Sequence, residues 1–172
     1  IGYLPRLMKE GFRGPIFCTR ATADLAEILL RDTGHLQEEE ARWANKKGYS
    51  KHQPALPLYT VQEAERVLPL LEPVSYGERF QPLPGLWARY RDTGHILGSA
   101  FLEVWKDRDS ERRKIVFSGD LGRPQDPMLR TPSQPYNVDY LVLESTYGDR
   151  LHSKGAVRQD LKDAVNGALD RG

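Results

Sequence analysis

Four short runs, Leu86 to Arg91, Ala100 to Trp105, Lys114 to Phe117 and Tyr140 to Leu143, are rich in aromatic and branched residues and read as strands. Three of them hand over to a polar residue set among glycines and small side chains. His95 stands in Asp92-Thr93-Gly94-His95-Ile96-Leu97-Gly98-Ser99-Ala100, Asp120 in Ser118-Gly119-Asp120, and Glu144 in Glu144-Ser145-Thr146-Tyr147-Gly148. A chain so written folds into stiff strands whose ends carry an imidazole and two carboxylates. Metal-dependent hydrolases fix their ligands in this way, with polar side chains converging beyond the strand ends on one edge.

The remainder supplies helices. Residues 15–19 read as a buried strand, after a loop punctuated by Gly11 and Gly14. Thr22 is a plausible cap for a helix with Leu25, Ile28 and Leu29 on one face, ending near Gly34. Leu36 to Lys47 is a second, solvated helix, whose Glu38-Glu39-Glu40 run suits the positive end of a helix dipole. Lys51 to Leu58, with Pro54 and Pro57, is a connector. Thr60 caps a helix with Val61, Ala64, Val67 and Leu68 at helical spacing, closed by Pro69 or Pro73.

Phe101, Glu103 and Trp105 alternate with Leu102 and Val104, so one face of that strand meets a core. Lys106 to Arg113 reads as a charged hairpin loop, and Pro124 to Pro135 as an ordered surface excursion. Val157, Leu161, Val165 and Leu169 form the stripe of a last helix. Helices first, strands later and returns between them predict an α/β layered fold with a mixed sheet. Asp-Thr-Gly-His occurs at 32–35 and again at 92–95, after a helix and after a strand, and is read as coincidence rather than as a repeat.

At 172 residues one domain can bury a core. With 25 Lys+Arg against 24 Asp+Glu, no global charge marks a nucleic-acid or membrane binder, so an anionic substrate has to be held by local charge or metal. No apolar run approaches the roughly 20 residues of a membrane helix. The single cysteine, Cys18, lies in an apolar run and reads as a buried thiol in a reducing, cytoplasmic compartment. Ile1 and Gly172 both read as cut ends.

Each polar residue has a bland alternative. A histidine after a glycine is commonly a hydrogen-bonded loop residue; Asp120 could cap a turn, or bridge two cations with its two oxygens. Glu144 closes an almost wholly apolar strand, where an unpaired acid would destabilise the fold. Taken together, order and wording resemble the metallo-β-lactamase superfamily and its β-CASP branch of RNA-processing nucleases. The match includes Ile1-Gly2-Tyr3-Leu4-Pro5, which in that family follows a His-x-His-x-Asp-His motif expected before Ile1.

The resemblance implies an αββα sandwich with a mixed sheet over residues 1–148, running into a β-CASP cap domain at 149–172. It implies two zinc ions in the full-length parent, with His95 binding one and Asp120 bridging both. It makes Asp120 and Glu144 catalytic, Glu144 by orienting a histidine beyond Gly172 that acts as general acid. RNA is the implied substrate, in a homo-oligomer or an RNA-processing complex, without a membrane. With only His95 and Asp120, the chain itself is expected to bind zinc weakly and not to cleave. The alternatives are a DNA-processing or small-molecule metallo-hydrolase of the same fold, or a scaffold that has lost catalysis.

Other candidates weigh less. His35 reads as a helix-end residue, His52 as solvated, and His152 with Arg150 as loop residues able to touch a phosphate. Lys46, Lys47, Lys51 and Arg112-Arg113-Lys114 show no general basic groove. Trp43, Tyr49 and Trp105 are able to stack on bases, but their spacing favours the core.

Overall fold

The computed structural model of the protein describes residues 1–106, 113–124, 126, 128–146, 148–149 and 157–171. It has the expected α/β class and mixed sheet. A short helix α1 (Leu4–Lys9), absent from the sequence reading, precedes strand β1 (Ile16–Thr19). The long helix α2 (Arg20–Lys47), helix α3 (Val61–Glu65) and a 3-10 turn (Leu68–Leu70) lead to strand β2 (Leu71–Val74), which lies parallel to β1. Strands β3 (Arg79–Leu83), β4 (Leu86–Asp92), β5 (Ala100–Lys106), β6 (Arg113–Phe117) and β7 (Tyr140–Val142) form a second sheet in that order. Helix α4 (Val157–Leu169) follows. No helix among the described residues is long and apolar enough to cross a membrane.

The first part corrects the sequence reading in four ways. Two expected helices are one helix of 28 residues. Its cap is Thr19, whose Oγ1 accepts from Thr22 N at 3.2 Å, so Thr22 lies inside the first turn. Gly34 does not stop the helix, because α3 crosses there: a Cβ at Gly34 would lie 3.0 Å from the backbone N and Cα of Val61. Glycine is needed for close approach rather than for a turn, and the helix runs on to Gly48, which closes it at φ +69°. His35 and Glu38-Glu39-Glu40 therefore sit mid-helix, without the terminal dipole invoked for them.

The buried face differs too. It consists of Ala26, Leu30, Gly34, Ala41 and Ala44, while Ile28 and Leu29 are exposed. Small residues face inward because α3 and the Tyr59 region press close. Ala26 and Leu30 join Tyr59, Ala64 and Val67 in the core, flanked by Leu4, Met8, Ile16, Leu68 and Leu71. Thr60 caps α3 as expected and forms a reciprocal capping box with Glu63. The helix is shorter than expected, since Pro69 forces the next residues into a 3-10 turn.

Strands β2 and β3 are missing from the sequence reading because Pro73 and Pro82 disguise them. Among the described residues each is paired on one side only, and a proline is tolerated at such an edge, where its missing N–H is not needed. Strands β4 to β7 fall close to where the composition places them. Along β5, Phe101, Glu103 and Trp105 are buried and Leu102 and Val104 half-buried, in the expected alternation. The segment after β6 lies over that buried face, with Pro132, Ser133 and Pro135 beside Phe101 and Val116. The expected hairpin loop falls largely on 107–112, which with Pro127 lies outside the described residues.

The two sheets meet through aromatic rings. Phe17 stacks on Phe80 and Phe80 on Tyr90, with centroids 4.8 and 5.4 Å apart, and the Tyr90 hydroxyl donates to Phe17 O at 2.8 Å. Cys18 is buried on β1, as expected, and burial pushes its thiol pKa up. Strand β7 is an edge strand with Tyr140, Leu141 and Val142 all exposed. The stripe of α4 also faces outward at Leu161, Val165 and Leu169.

Candidate active site

Strand direction brings the predicted residues to one place. Strand β5 is antiparallel to both β4 and β6, and β7 is parallel to β6, so β4, β6 and β7 run the same way. Their C-terminal ends share one sheet edge. His95 follows β4, Asp120 follows β6 and Glu144 follows β7. His95 Nε2 and Asp120 Oδ2 lie 3.8 Å apart, with side chains 42% and 75% exposed and thus open to an incoming ion.

Backbone contacts lock the loops that carry them. The Asp92 carboxylate Oδ1 accepts from Gly94 N at 2.8 Å and starts the turn. Gly94 adopts φ +60°, a left-handed conformation, and a Cβ there would lie 2.1 Å from Arg130 O. On its other side Gly122 packs so closely that its own Cβ would lie 1.9 Å from Gly94 O. Gly122 N donates to Thr93 O at 2.9 Å, which ties the Asp120 loop to the His95 loop.

Ser99 and Ser118, quoted in the sequence reading without a role, hold these loops in place. Ser99 Oγ donates to Ile96 O at 2.8 Å and accepts from His95 N and Ile96 N, both at 3.2 Å. Buried Thr93 donates to the same oxygen at 2.8 Å. A serine three or four residues beyond a turn was the available signal. Ser118 Oγ accepts from Glu144 N at 2.9 Å, and Ser118 N donates to Val142 O at 2.9 Å. The Glu144 carboxylate in turn accepts from Leu121 N, so this acid clasps the Asp120 loop. Tyr147, Arg150 and His152 lie outside the described residues.

Away from the edge, buried Glu103 binds Arg89 and Lys114 at once, through Oε2 to Arg89 Nε at 2.6 Å and Oε1 to Lys114 Nζ at 3.0 Å. Burial pushes the Glu103 carboxyl pKa up, and the two cations outweigh it, so the value lies below the ordinary range. Lys114 Nζ also donates to Tyr136 O at 2.5 Å, and Lys114 N donates to Asp139 Oδ2 at 2.7 Å. The triad thereby fastens the segment leading into β7.

An imidazole nitrogen and a carboxylate oxygen at this separation can reach one cation, since bonds of about 2.0–2.2 Å from each side span roughly 4 Å. The donor types also fit a borderline cation such as zinc. Among the described residues no third His, Cys, Asp or Glu joins them.

No family model matches the chain. It is 36% identical to ribonuclease TTHA0252 of Thermus thermophilus over 152 residues, which is 88% of this chain and 30% of that protein. It is 31% identical to endoribonuclease ysh-1 of Neurospora crassa over 176 residues, 96% of this chain and 18% of that protein. It is 28% identical to transcription termination factor FttA of a Lokiarchaeum species over 175 residues, 99% of this chain and 25% of that protein. The chain is homologous to the β-CASP nucleases of the metallo-β-lactamase superfamily. It spans less than a third of the length of these β-CASP relatives. The loops that carry His95, Asp120 and Glu144 lie along one sheet edge and are held there by their own backbone contacts.

Proposed function

We propose that this chain supplies the strand-end part of a metal-dependent hydrolase that cuts RNA phosphodiester bonds, with two zinc ions in the complete enzyme. The observation that carries this reading is the convergence of His95 Nε2 and Asp120 Oδ2 to 3.8 Å at the shared ends of β4 and β6. Relatives named as a ribonuclease and an endoribonuclease support RNA as the substrate class. In this reading residues 1–148 belong to the metallo-β-lactamase domain and 149–172 begin the β-CASP domain, in a cytoplasmic protein.

His95 would hold one ion, and Asp120, with two anionic oxygens, would contact both. Glu144 is a positioning residue: it fixes the Asp120 loop through Leu121 N and is proposed to orient a histidine supplied from outside this chain. Bound ions of this kind lower the pKa of a water to about 7 and neutralise charge on the phosphate. With two such donors brought together among the described residues, the isolated chain is expected to be inactive.

The test is cleavage of labelled single-stranded RNA by the full-length protein that contains this chain. Chelation, His95→Ala and Asp120→Asn should each lower the rate on the order of 100-fold or more, and Glu144→Gln by about 10–100-fold. Cleavage indifferent to chelator and to Asp120→Asn overturns the reading. Preferential cutting of DNA moves it to a DNA-processing enzyme, and metal binding without any cleavage moves it to a scaffold.

A further inference from the structure

We propose that the C-terminal end of α2 and the loop after it form a second contact surface for single-stranded RNA, remote from His95 and Asp120. The proposal rests on the reading of RNA as substrate and adds where else the strand is held. Between Ala41 and Gln62 the charged residues are Arg42, Lys46, Lys47 and Lys51, and no Asp or Glu occurs. Arg42 is paired to Glu39 one turn back. Among the described residues no carboxylate pairs with Lys46, Lys47 or Lys51.

Two large aromatics stand in this cationic stretch. Trp43 is 53% and Tyr49 59% exposed, against 3% for Trp105, so the expected core role holds for Trp105 only. Lys47 Nζ lies 4.9 Å and Lys46 Nζ 6.0 Å from the Trp43 ring centroid, so cations and ring form one patch. Lysines in the last turn of a helix are ordinary partners of its dipole. The dipole does not account for an indole and a phenol left in water beside them, and an exposed large apolar group is the informative observation. Cations for phosphate and open rings for bases are the two parts of a sequence-tolerant single-strand platform.

The surface is fixed in place before any ligand arrives. Asn45 holds the loop by donating through Nδ2 to Ala55 O at 2.9 Å and accepting from Ala55 N at 2.7 Å. Leu58 N donates to Gln37 Oε1 at 2.9 Å. Between helix and loop lies a cleft of about 280 Å³, lined in part by Glu40, Ala41, Ala44, Tyr49 and Leu56. The other end of α2 touches the candidate site, where Gly98 O accepts from Thr19 Oγ1 at 2.8 Å and Thr22 Oγ1 at 3.1 Å. At about 1.5 Å per residue, Trp43 lies roughly 35 Å along the helix from that end. A strand engaged at both places runs along α2.

The experiment is fluorescence anisotropy of a labelled oligouridine titrated with the full chain in EDTA, at several salt concentrations. Binding without metal separates this surface from the nuclease reading, which fails or stands on cleavage alone. Trp43→Ala and Tyr49→Ala should each weaken binding roughly 5- to 100-fold. Lys46→Glu with Lys47→Glu should weaken it and lower the salt slope by about 1.4, at roughly 0.7 per lost phosphate contact. All three are surface changes, and unchanged thermal unfolding checks that each variant is folded. Affinity unaltered in folded variants overturns the proposal. Binding to phosphatidylserine vesicles in place of oligouridine also overturns it, in favour of a membrane surface.

Discussion

The same four residues, Asp-Thr-Gly-His, fold in two ways in this protein. At 32–35 they are helix, inside α2; at 92–95 they are the turn that leaves β4. Thr33 is half-buried and donates back to Leu29 O at 2.7 Å, whereas Thr93 is fully buried and donates to Ser99 Oγ at 2.8 Å. Gly34 lets a second helix approach, while Gly94 turns left-handed against Arg130 O and Gly122. His35 projects from the middle of a helix, and His95 faces Asp120. Local sequence is thus no guide to role here; what packs against each copy decides.

Removing the support behind one copy breaks this contrast hardest. Glu103→Ala leaves half-buried Arg89 and buried Lys114 without their shared carboxylate and should destabilise by about 3–5 kcal/mol. Amide exchange should rise at Thr93 and Gly94 before Thr33 and Gly34, because the triad fastens the segment beside the second copy. Equal loosening of both copies argues against the contrast.

Acid probes the same triad without mutation. The Glu103 carboxyl pKa is held below the ordinary value, so its stabilisation is complete above about pH 4.3 and is lost as pH falls through the depressed folded-state value. Denaturation midpoints measured across that range should drop more for the wild type than for Glu103→Gln.

The two glycines come next. Gly94→Ala places a Cβ in a left-handed residue against Arg130 O and should cost about 2–4 kcal/mol. Gly34→Ala gains helix propensity of about 1 kcal/mol but crowds Val61, for a net loss near 1 kcal/mol or less. Chemical denaturation of the pair decides, and a larger loss at Gly34 reverses the argument. The aspartates differ by less: Asp92→Ala removes the bond to Gly94 N and should cost about 1 kcal/mol, while exposed Asp32→Ala stays within about 0.5 kcal/mol.

The smallest effect belongs to Tyr59, packed under the first copy's helix. Its buried hydroxyl has no hydrogen-bond partner among the described residues, so Tyr59→Phe should leave the thermal midpoint unchanged or slightly raised. A fall of several degrees would reveal a partner for that oxygen.

Much of the candidate site was legible because strand exits are local signals. Branched and aromatic runs marked β4 to β7, and glycine-rich breaks marked His95 and Asp120. Prolines hid β2 and β3, since whether a proline is harmless depends on which edge lacks a neighbour. The buried face of α2 was misjudged for a similar reason: Ile28 and Leu29 are strongly apolar, yet the face that α3 and its flanking chain cover is the one that carries Ala26, Leu30, Gly34, Ala41 and Ala44. Trp43 and Tyr49 carry the opposite lesson, being core-like in spacing and open in the fold.

By itself the sequence determined which segments prefer strand or helix, where turns are permitted, and which chemical groups stand at strand exits. These depend on side-chain branching, glycine freedom and capping within a few residues. Only the tertiary structure decided that β4, β6 and β7 point the same way, that Gly122 locks onto Gly94, and that α2 runs through Gly34. Strand direction and close backbone approach are set by partners distant in the chain, and they bring His95 and Asp120 to one edge.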